Sequence, residues 1–306
     1  MLPPAILLTG PTAAGKSDFA LELATCWNCE IISVDSALVY RGLDIGTAKP
    51  SAAVQAQVPH HLIDIKDPSE QYSAACFRAD ALQAMQQITA SGRIPLLVGG
   101  TQLYFRALQH GLAPLPEADA PTRAQLQHAL AQRGLAGLHQ WLAEVDPATA
   151  ARVHPHDPQR IMRALEVFLI TRLPLSVHLA QAQQQSALPY RTLKLVYCPY
   201  QRELLRQRIA ERFDAMLAAG FEQEVRILWA RGDLSPEIPA LRSVGYRQML
   251  DYVCGRSDFD RMRERAIIAT RQLAKRQLTW LRAERDAQWI DQPALGRQLV
   301  AQWLSA

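Results

Sequence analysis

Long hydrophobic runs are missing from this chain: none approaches the roughly 18 to 20 apolar residues that a membrane-spanning helix needs. The opening MLPPAILLTGP also lacks the basic leader of a secretory signal. A soluble cytoplasmic protein with no membrane partner is therefore expected. Cysteine is scarce, at 5 in 306 residues, and the odd number argues for reduced thiols over a disulfide framework. Cys26 and Cys29 form a C-x-x-C, which invites a redox or zinc reading. No second pair accompanies it, and it falls late in a helical pattern, so structural cysteines are the better reading. His60 and His61 have no acidic partner at metal-ligand spacing, and at least one of them reads as a satisfied buried histidine. Internal repeats and low-complexity tracts are absent, and 49% apolar with 20% charged residues excludes disordered and fibrous classes.

Positive charge is scarce in the first third. Of 33 Lys+Arg and 29 Asp+Glu, residues 1–110 hold 7 and 9, leaving 26 and 20 for the other 196, so the first part is −2 and the rest +6. Acids in turn are missing between Arg265 and Ala283, where Arg271, Lys275 and Arg282 fall at i, i+4 and i+11 on one helical face. A localised basic surface is what a polyanionic partner needs, although a solvated arginine-rich face has the same composition.

What is present, early in the chain, is GPTAAGKS: Gly10, Pro11, Thr12, Ala13, Ala14, Gly15, Lys16 and Ser17, directly after AILLT. It fits G-x-x-x-x-G-K-[ST], a loop whose backbone N–H groups wrap a chain of phosphates while the lysine adds charge and the hydroxyl holds Mg²⁺. Mg²⁺ on Ser17 is accordingly the expected cofactor. Most chains with such a loop bind a nucleotide such as ATP and hydrolyse it or pass on its terminal phosphoryl group.

Short apolar runs bounded by Gly, Pro and acids read as strands: AILLT from 5, EIISVD from 30, HLIDI from 61, PLLVGG from 95 and LKLVYC from 193. Helical patterns at 16–26, 73–90 and 102–109 separate the first four. The alternation predicts an α/β fold, a P-loop NTPase-like parallel sheet flanked by helices. The stretch 110–192 breaks the rhythm. After Pro114, Pro116 and Pro121, TRAQLQHALAQRGLAGLHQWL and PQRIMRALEVFLI carry apolar residues three and four apart. This predicts a small helical domain, 113–190, inserted into a core formed by 1–112 and 191–306. From 200 onward, RELLRQRIAERFDAMLAAGFEQEVRILW and DFDRMRERAIIATRQLAKRQLTWLRAE predict long helices packed back on the sheet.

Ligands of open α/β sheets bind beyond the carboxyl ends of the strands. There the phosphate loop, Asp35 after the second strand and GGT at 99–101 after the fourth converge. Asp35 suits a general base, a Mg²⁺ ligand or an N-cap, and Asp64 competes for the metal role. These residues leave open a small-molecule kinase, a group transferase with a diphosphate donor, and an RNA-binding ATPase.

Seven motifs separate these readings: GPTAAGKS at 10, DSALVYRGLDIGTAKP at 35, VPHHLID at 58, VGGTQLYFRAL at 98, HPHDPQRIMRALE at 154, RSVGYRQ at 242 and ATRQLAKRQLTWLR at 269. In order and interval they closely resemble the tRNA dimethylallyltransferase (isopentenyltransferase) family, from about residue 5 to 290. The resemblance implies that the loop cradles the pyrophosphate of dimethylallyl diphosphate, with no need for ATP. The prenyl group is then expected to go to N6 of the adenosine just 3′ of a tRNA anticodon. Such a diphosphate ionises readily once N–H donors, Lys16 and Mg²⁺ on Ser17 stabilise the leaving charge. By similarity, Asp35 takes the proton of the attacking amine and Thr101 hydrogen-bonds the leaving pyrophosphate.

The family further implies a channel open at both ends, which the anticodon stem-loop enters from one side and the diphosphate from the other; the target base has to leave its stack. Expected tRNA contacts are Asp35, Ser36, Ala37, Leu38, Thr101, Arg123, Gln159, Arg160, Ile161, Met162, Arg163, Arg242, Ser243, Val244, Gly245, Tyr246 and Arg247, with Arg271, Lys275 and Arg282 on the basic face. Tyr246 suits stacking or hydrogen bonding. Two positions depart from the pattern, Leu38 where many relatives carry Gln and Gln102 where they carry Gly. The zinc-finger tail of eukaryotic members is missing, so a bacterial type is expected. A monomer is expected as well.

Overall fold

The chain's short apolar runs become parallel strands: β1 Pro4–Thr9, β2 Cys29–Val34, β3 His60–His61, β4 Ile94–Gly99, β5 Arg191–Tyr197 and β6 Gln288–Ile290. They form one sheet in the order β3-β2-β4-β1-β5-β6. Thr9 pairs with both Gly99 and Val196, and Gly99 also pairs with Val34. The carboxyl ends of β1, β2, β4 and β5 are thus level, and the loops that follow them leave from one edge. The computed structural model describes residues 2–182, 188–198 and 201–306. They divide into two units, Met1–Leu108 with Pro189–Ala306, and Gln109–Leu188.

In the larger unit α1 Lys16–Trp27, α2 Ala52–Gln57, α3 Ala74–Ala90 and α4 Gln102–His110 alternate with the strands. The inserted unit holds α5 Ala120–Val145, α6 Pro147–Ala150, α7 Pro158–Thr171 and α8 Leu175–Ala182. The chain returns through α9 Arg202–Ala218, α10 Phe221–Ala230, α11 Tyr246–Val253, α12 Phe259–Leu281 and α13 Pro293–Ser305. Ile6, Leu8, Leu96 and Leu195 of the sheet bury against Phe19 and Leu23 of α1 and Val300 of α13. Each such side chain contributes about 1.5–3 kcal/mol when fully buried. In the inserted unit Leu126, Leu138 and Leu142 of α5 pack on Ile161, Ala164 and Leu165 of α7. Among the described residues no helix is long and apolar enough to cross a membrane.

Three elements differ from the sequence reading for local backbone reasons. The strand expected over HLIDI stops after His61, because Leu62 (φ 63°) and Asp64 (φ 58°) adopt left-handed conformations that break the pairing. The long pattern from 202 is two helices parted at Gly220 (φ 98°). The pattern over 122–142 bends at Gly134 (φ 65°) within α5. Neighbouring strands also supply what the spacing around His60 and His61 lacked: Glu30 of β2 takes His61 at 2.6 Å and Arg93 at 2.7 Å. Cys26 is exposed and Cys29 buried, both unbridged, and burial pushes the Cys29 thiol up to about 12, which fits a structural role.

Candidate active site

The phosphate loop leaves β1 through a position only glycine fits: a Cβ on Gly10 would lie 2.2 Å from the Tyr197 carbonyl oxygen of neighbouring β5. Gly15, at φ 87°, then caps α1, which begins at Lys16. Lys16 and Ser17 therefore occupy the first turn, where backbone N–H groups lack intrahelical partners and the dipole favours anions. Lys16 Nζ folds back to the Pro11 carbonyl at 2.7 Å. Its pKa falls from the ordinary 10.5 to about 8, first through burial and then through the Arg212 guanidinium, with Asp35 partly opposing. Ser17 is exposed at the helix start.

A side chain far along the sequence anchors this loop. Gln277, buried on α12, accepts the Thr12 N–H through Oε1 at 2.8 Å and donates from Nε2 to the Gly100 carbonyl at 3.0 Å. One amide thus joins the phosphate loop to the end of β4.

Next to it, Thr101 bridges two strand ends. Its N–H donates to Val34 at 3.2 Å and its Oγ1 accepts the Ser36 N–H at 3.2 Å. Asp35 Oδ1 accepts the N–H groups of Ala37 at 2.8 Å and Leu38 at 3.4 Å. This caps a turn rather than a helix, because residues 36–39 form only bends and turns. The phosphate loop, Asp35 and Thr101 thus share one sheet edge.

Two cations of the site escaped the sequence reading. Arg208 and Arg212 are four apart on α9 and present one face. An Arg208 terminal nitrogen lies 3.7 Å from where a Gly15 Cβ would be. Arg212 is desolvated, which lowers its pKa, while Asp35 opposes the shift. The available signal was the spacing in RQRIAERF, but an arginine pair at i, i+4 equally describes a solvated helix face. Asp64 is paired with Lys49, which also holds Asp44 at 2.6 Å. Among the described residues no cluster of three His, Cys, Asp or Glu could hold an ion. The Ser17 hydroxyl at the mouth of the loop fits a Mg²⁺ that takes its remaining ligands from phosphate oxygens and water.

Sequence comparison decides what kind of chemistry this edge belongs to. Residues 38–284 match the family model described as IPP transferase. The chain belongs to that family. It is 60% identical over 283 residues to the tRNA dimethylallyltransferase of Thioalkalivibrio sulfidiphilus (strain HL-EbGR7), covering 92% of this chain and 88% of that protein. Its structure is similar to the tRNA isopentenylpyrophosphate transferase from Bacillus halodurans, with TM-score 0.69 and 36% identity over 95% of this chain and 90% of the other. It is also similar to a eukaryotic dimethylallyltransferase acting on tRNA, with TM-score 0.78 and 29% identity over 94% and 74%.

The residues expected to meet tRNA fall into distinct surroundings. Arg242, Arg247, Arg271, Lys275 and Arg282 are exposed on the larger unit. Arg282 is close enough to Cys198 to act on its thiol, as Lys16 does from the phosphate loop. Tyr246 has no surface for stacking: it is fully buried and donates its hydroxyl to Glu224 at 2.5 Å. Gly245 is buried as the cap of α11, and Ser243 and Val244 are half-covered beside it. In the inserted unit Ile161 is core. Arg123 and Arg163 both engage Glu166, only 2% exposed, at 2.8 and 2.5 Å, which leaves one net positive charge in the trio. Gln159 and Arg160 are exposed, with Arg160 paired to Asp157, and Met162 is half-buried. Gln102, one of the two departures, donates to Thr9 Oγ1 at 2.8 Å inside the core.

Proposed function

We propose that this chain transfers the dimethylallyl group of dimethylallyl diphosphate to N6 of the adenosine 3′-adjacent to the anticodon in tRNA. The observation that carries the reading is the gathering of Lys16, Arg208 and Arg212 around the phosphate loop with one carboxylate, Asp35, at the same edge. In the reaction the carbon–oxygen bond to the diphosphate breaks, a bond from N6 to that carbon forms, and the amine's proton passes to Asp35. Pyrophosphate leaves into the N–H groups and cations of the loop, which act where negative charge develops. Thr101, tied to Ser36, bonds the departing group. Ser17 would hold Mg²⁺, which would neutralise part of the pyrophosphate charge. Exposed Arg242, Arg247, Arg271 and Lys275 contact tRNA phosphates, and the protein acts in the cytoplasm as a monomer.

The test incubates the protein and a tRNA transcript with radiolabelled dimethylallyl diphosphate, beside a second sample with γ-labelled ATP. Label on the tRNA adenosine in the first sample alone is the expected result. Phosphoryl transfer to a small acceptor, or ATP hydrolysis with no prenylated tRNA, would replace the reading by a kinase or an RNA-binding ATPase.

A further inference from the structure

The segment DIGTAKP puts no catalytic side chain at the sheet edge, yet its backbone is tightly held. Glu224 on α10 accepts four hydrogen bonds: Oε2 from the N–H groups of Asp44 at 2.9 Å and Ile45 at 2.6 Å, Oε1 from Gly46 N–H at 3.1 Å and from the Tyr246 hydroxyl at 2.5 Å. Successive N–H groups converging on one carboxylate make an anion nest. Gly46 is required there, because a Cβ would lie 2.2 Å from the Phe221 ring and 2.6 Å from Tyr246. Lys49 secures the far side through the Tyr40 carbonyl at 2.9 Å and through Asp44 and Asp64. The residue after the nest, Thr47, turns its carbonyl to Arg212, which donates to it at 3.1 Å.

That carbonyl sets where the guanidinium can be. Arg212 is desolvated and lies within electrostatic range of Asp35. Released from Thr47, a desolvated guanidinium would close onto the carboxylate, since an unpaired buried charge is costly. Such a pair would withdraw a cation from the diphosphate and occupy the base at once. We propose that Glu224 is a positioning residue for prenyl transfer, fixing the Asp44–Thr47 backbone so that the Thr47 carbonyl holds Arg212 at the phosphate-loop edge and off Asp35. A carboxylate is needed because all four partners donate, two to each oxygen, and glutamine would aim its NH₂ at two of them. This inference rests on the function proposed above.

A double-mutant cycle with Arg212 tests it, using Glu224→Gln, Arg212→Lys and the double variant in single-turnover prenylation of tRNA. Glu224→Gln is expected to lower the rate about 10²-fold, as a misplacement near 1 Å does, with the KM for tRNA within about 2-fold. The double variant is expected to be no slower than Arg212→Lys alone, since residues acting through one another are non-additive. Losses that multiply, or an unimpaired Glu224→Gln, would overturn the proposal. If Glu224→Gln fails to fold, Glu224→Asp, which keeps the charge but is one methylene too short to reach the Asp44–Gly46 N–H groups, replaces it in the same cycle with the same criteria. Calorimetric titration with pyrophosphate alone separates the two levels of inference. If the wild type does not prenylate tRNA, positioning still predicts weaker pyrophosphate binding for Glu224→Gln in the wild-type background and no further loss in the Arg212→Lys background. Equal losses in both backgrounds would sink it.

Discussion

Gln277 and Thr12, 265 positions apart in sequence, meet through a 2.8 Å hydrogen bond from the Thr12 N–H to the glutamine Oε1. The same amide donates to Gly100, so the helix bearing Arg271 and Lys275 braces the phosphate loop. Gln277→Leu should leave a donor and an acceptor unpaired in partly buried surroundings, at about 1–3 kcal/mol for each buried group. Urea unfolding, read as a fall in midpoint at constant slope, checks this. An unchanged midpoint would mean water replaces the amide at no cost.

Lys16→Ala should cut turnover by several powers of ten, because its contact strengthens as the leaving group gains charge. Near-normal activity in rapid-quench assays would make the loop structural.

The depressed pKa of Lys16, about 8, sets two opposite pH trends. Pyrophosphate binding needs the ammonium, so affinity should fall as pH rises past 8, and Lys16→Arg should stay flat there. For folding the sign reverses. Between pH 8 and the ordinary 10.5 the unfolded chain binds more protons at this site, so its contribution to stability grows with pH across that window. Titration calorimetry from pH 7 to 10 reads the first trend. Affinity that does not change over this range would place the ammonium outside the phosphate contacts.

Asp35→Ala should lower kcat about 10² to 10⁴-fold, roughly 3 to 5 kcal/mol, with tRNA affinity within a few-fold. Asp35→Asn should be nearly as slow, since an amide keeps the shape but takes no proton. Recovery of either variant at high Mg²⁺ would make Asp35 a metal ligand instead of the base.

Replacing Arg271 and Lys275 together by Ala should weaken tRNA binding and flatten its salt dependence, each lost phosphate contact removing roughly 0.7 to 0.9 from the log–log slope. Arg282 is kept intact in this variant because it lies beside Cys198 near the phosphate loop. Filter binding from 50 to 300 mM salt measures the slope, and no change would place the tRNA on another face.

Phosphate binding by a loop is a local property, because contiguous backbone N–H groups, a strand before and a helix after all lie within a dozen residues. The placement of GPTAAGKS, Asp35 and GGT at one sheet edge was therefore legible from sequence alone, as were the strand–helix alternation and the helical character of the segment between β4 and β5. Tertiary structure decided everything that depends on which side of a helix meets the sheet. Arg208 and Arg212 face the loop and Gln277 braces it, while Tyr246, which reads as an RNA contact, turns inward to Glu224. Helical spacing fixes which residues share a face but not what that face meets. The same holds for Arg123 and Arg163, whose shared partner Glu166 sits more than forty residues from the first of them and is buried only because α5 and α7 pack together.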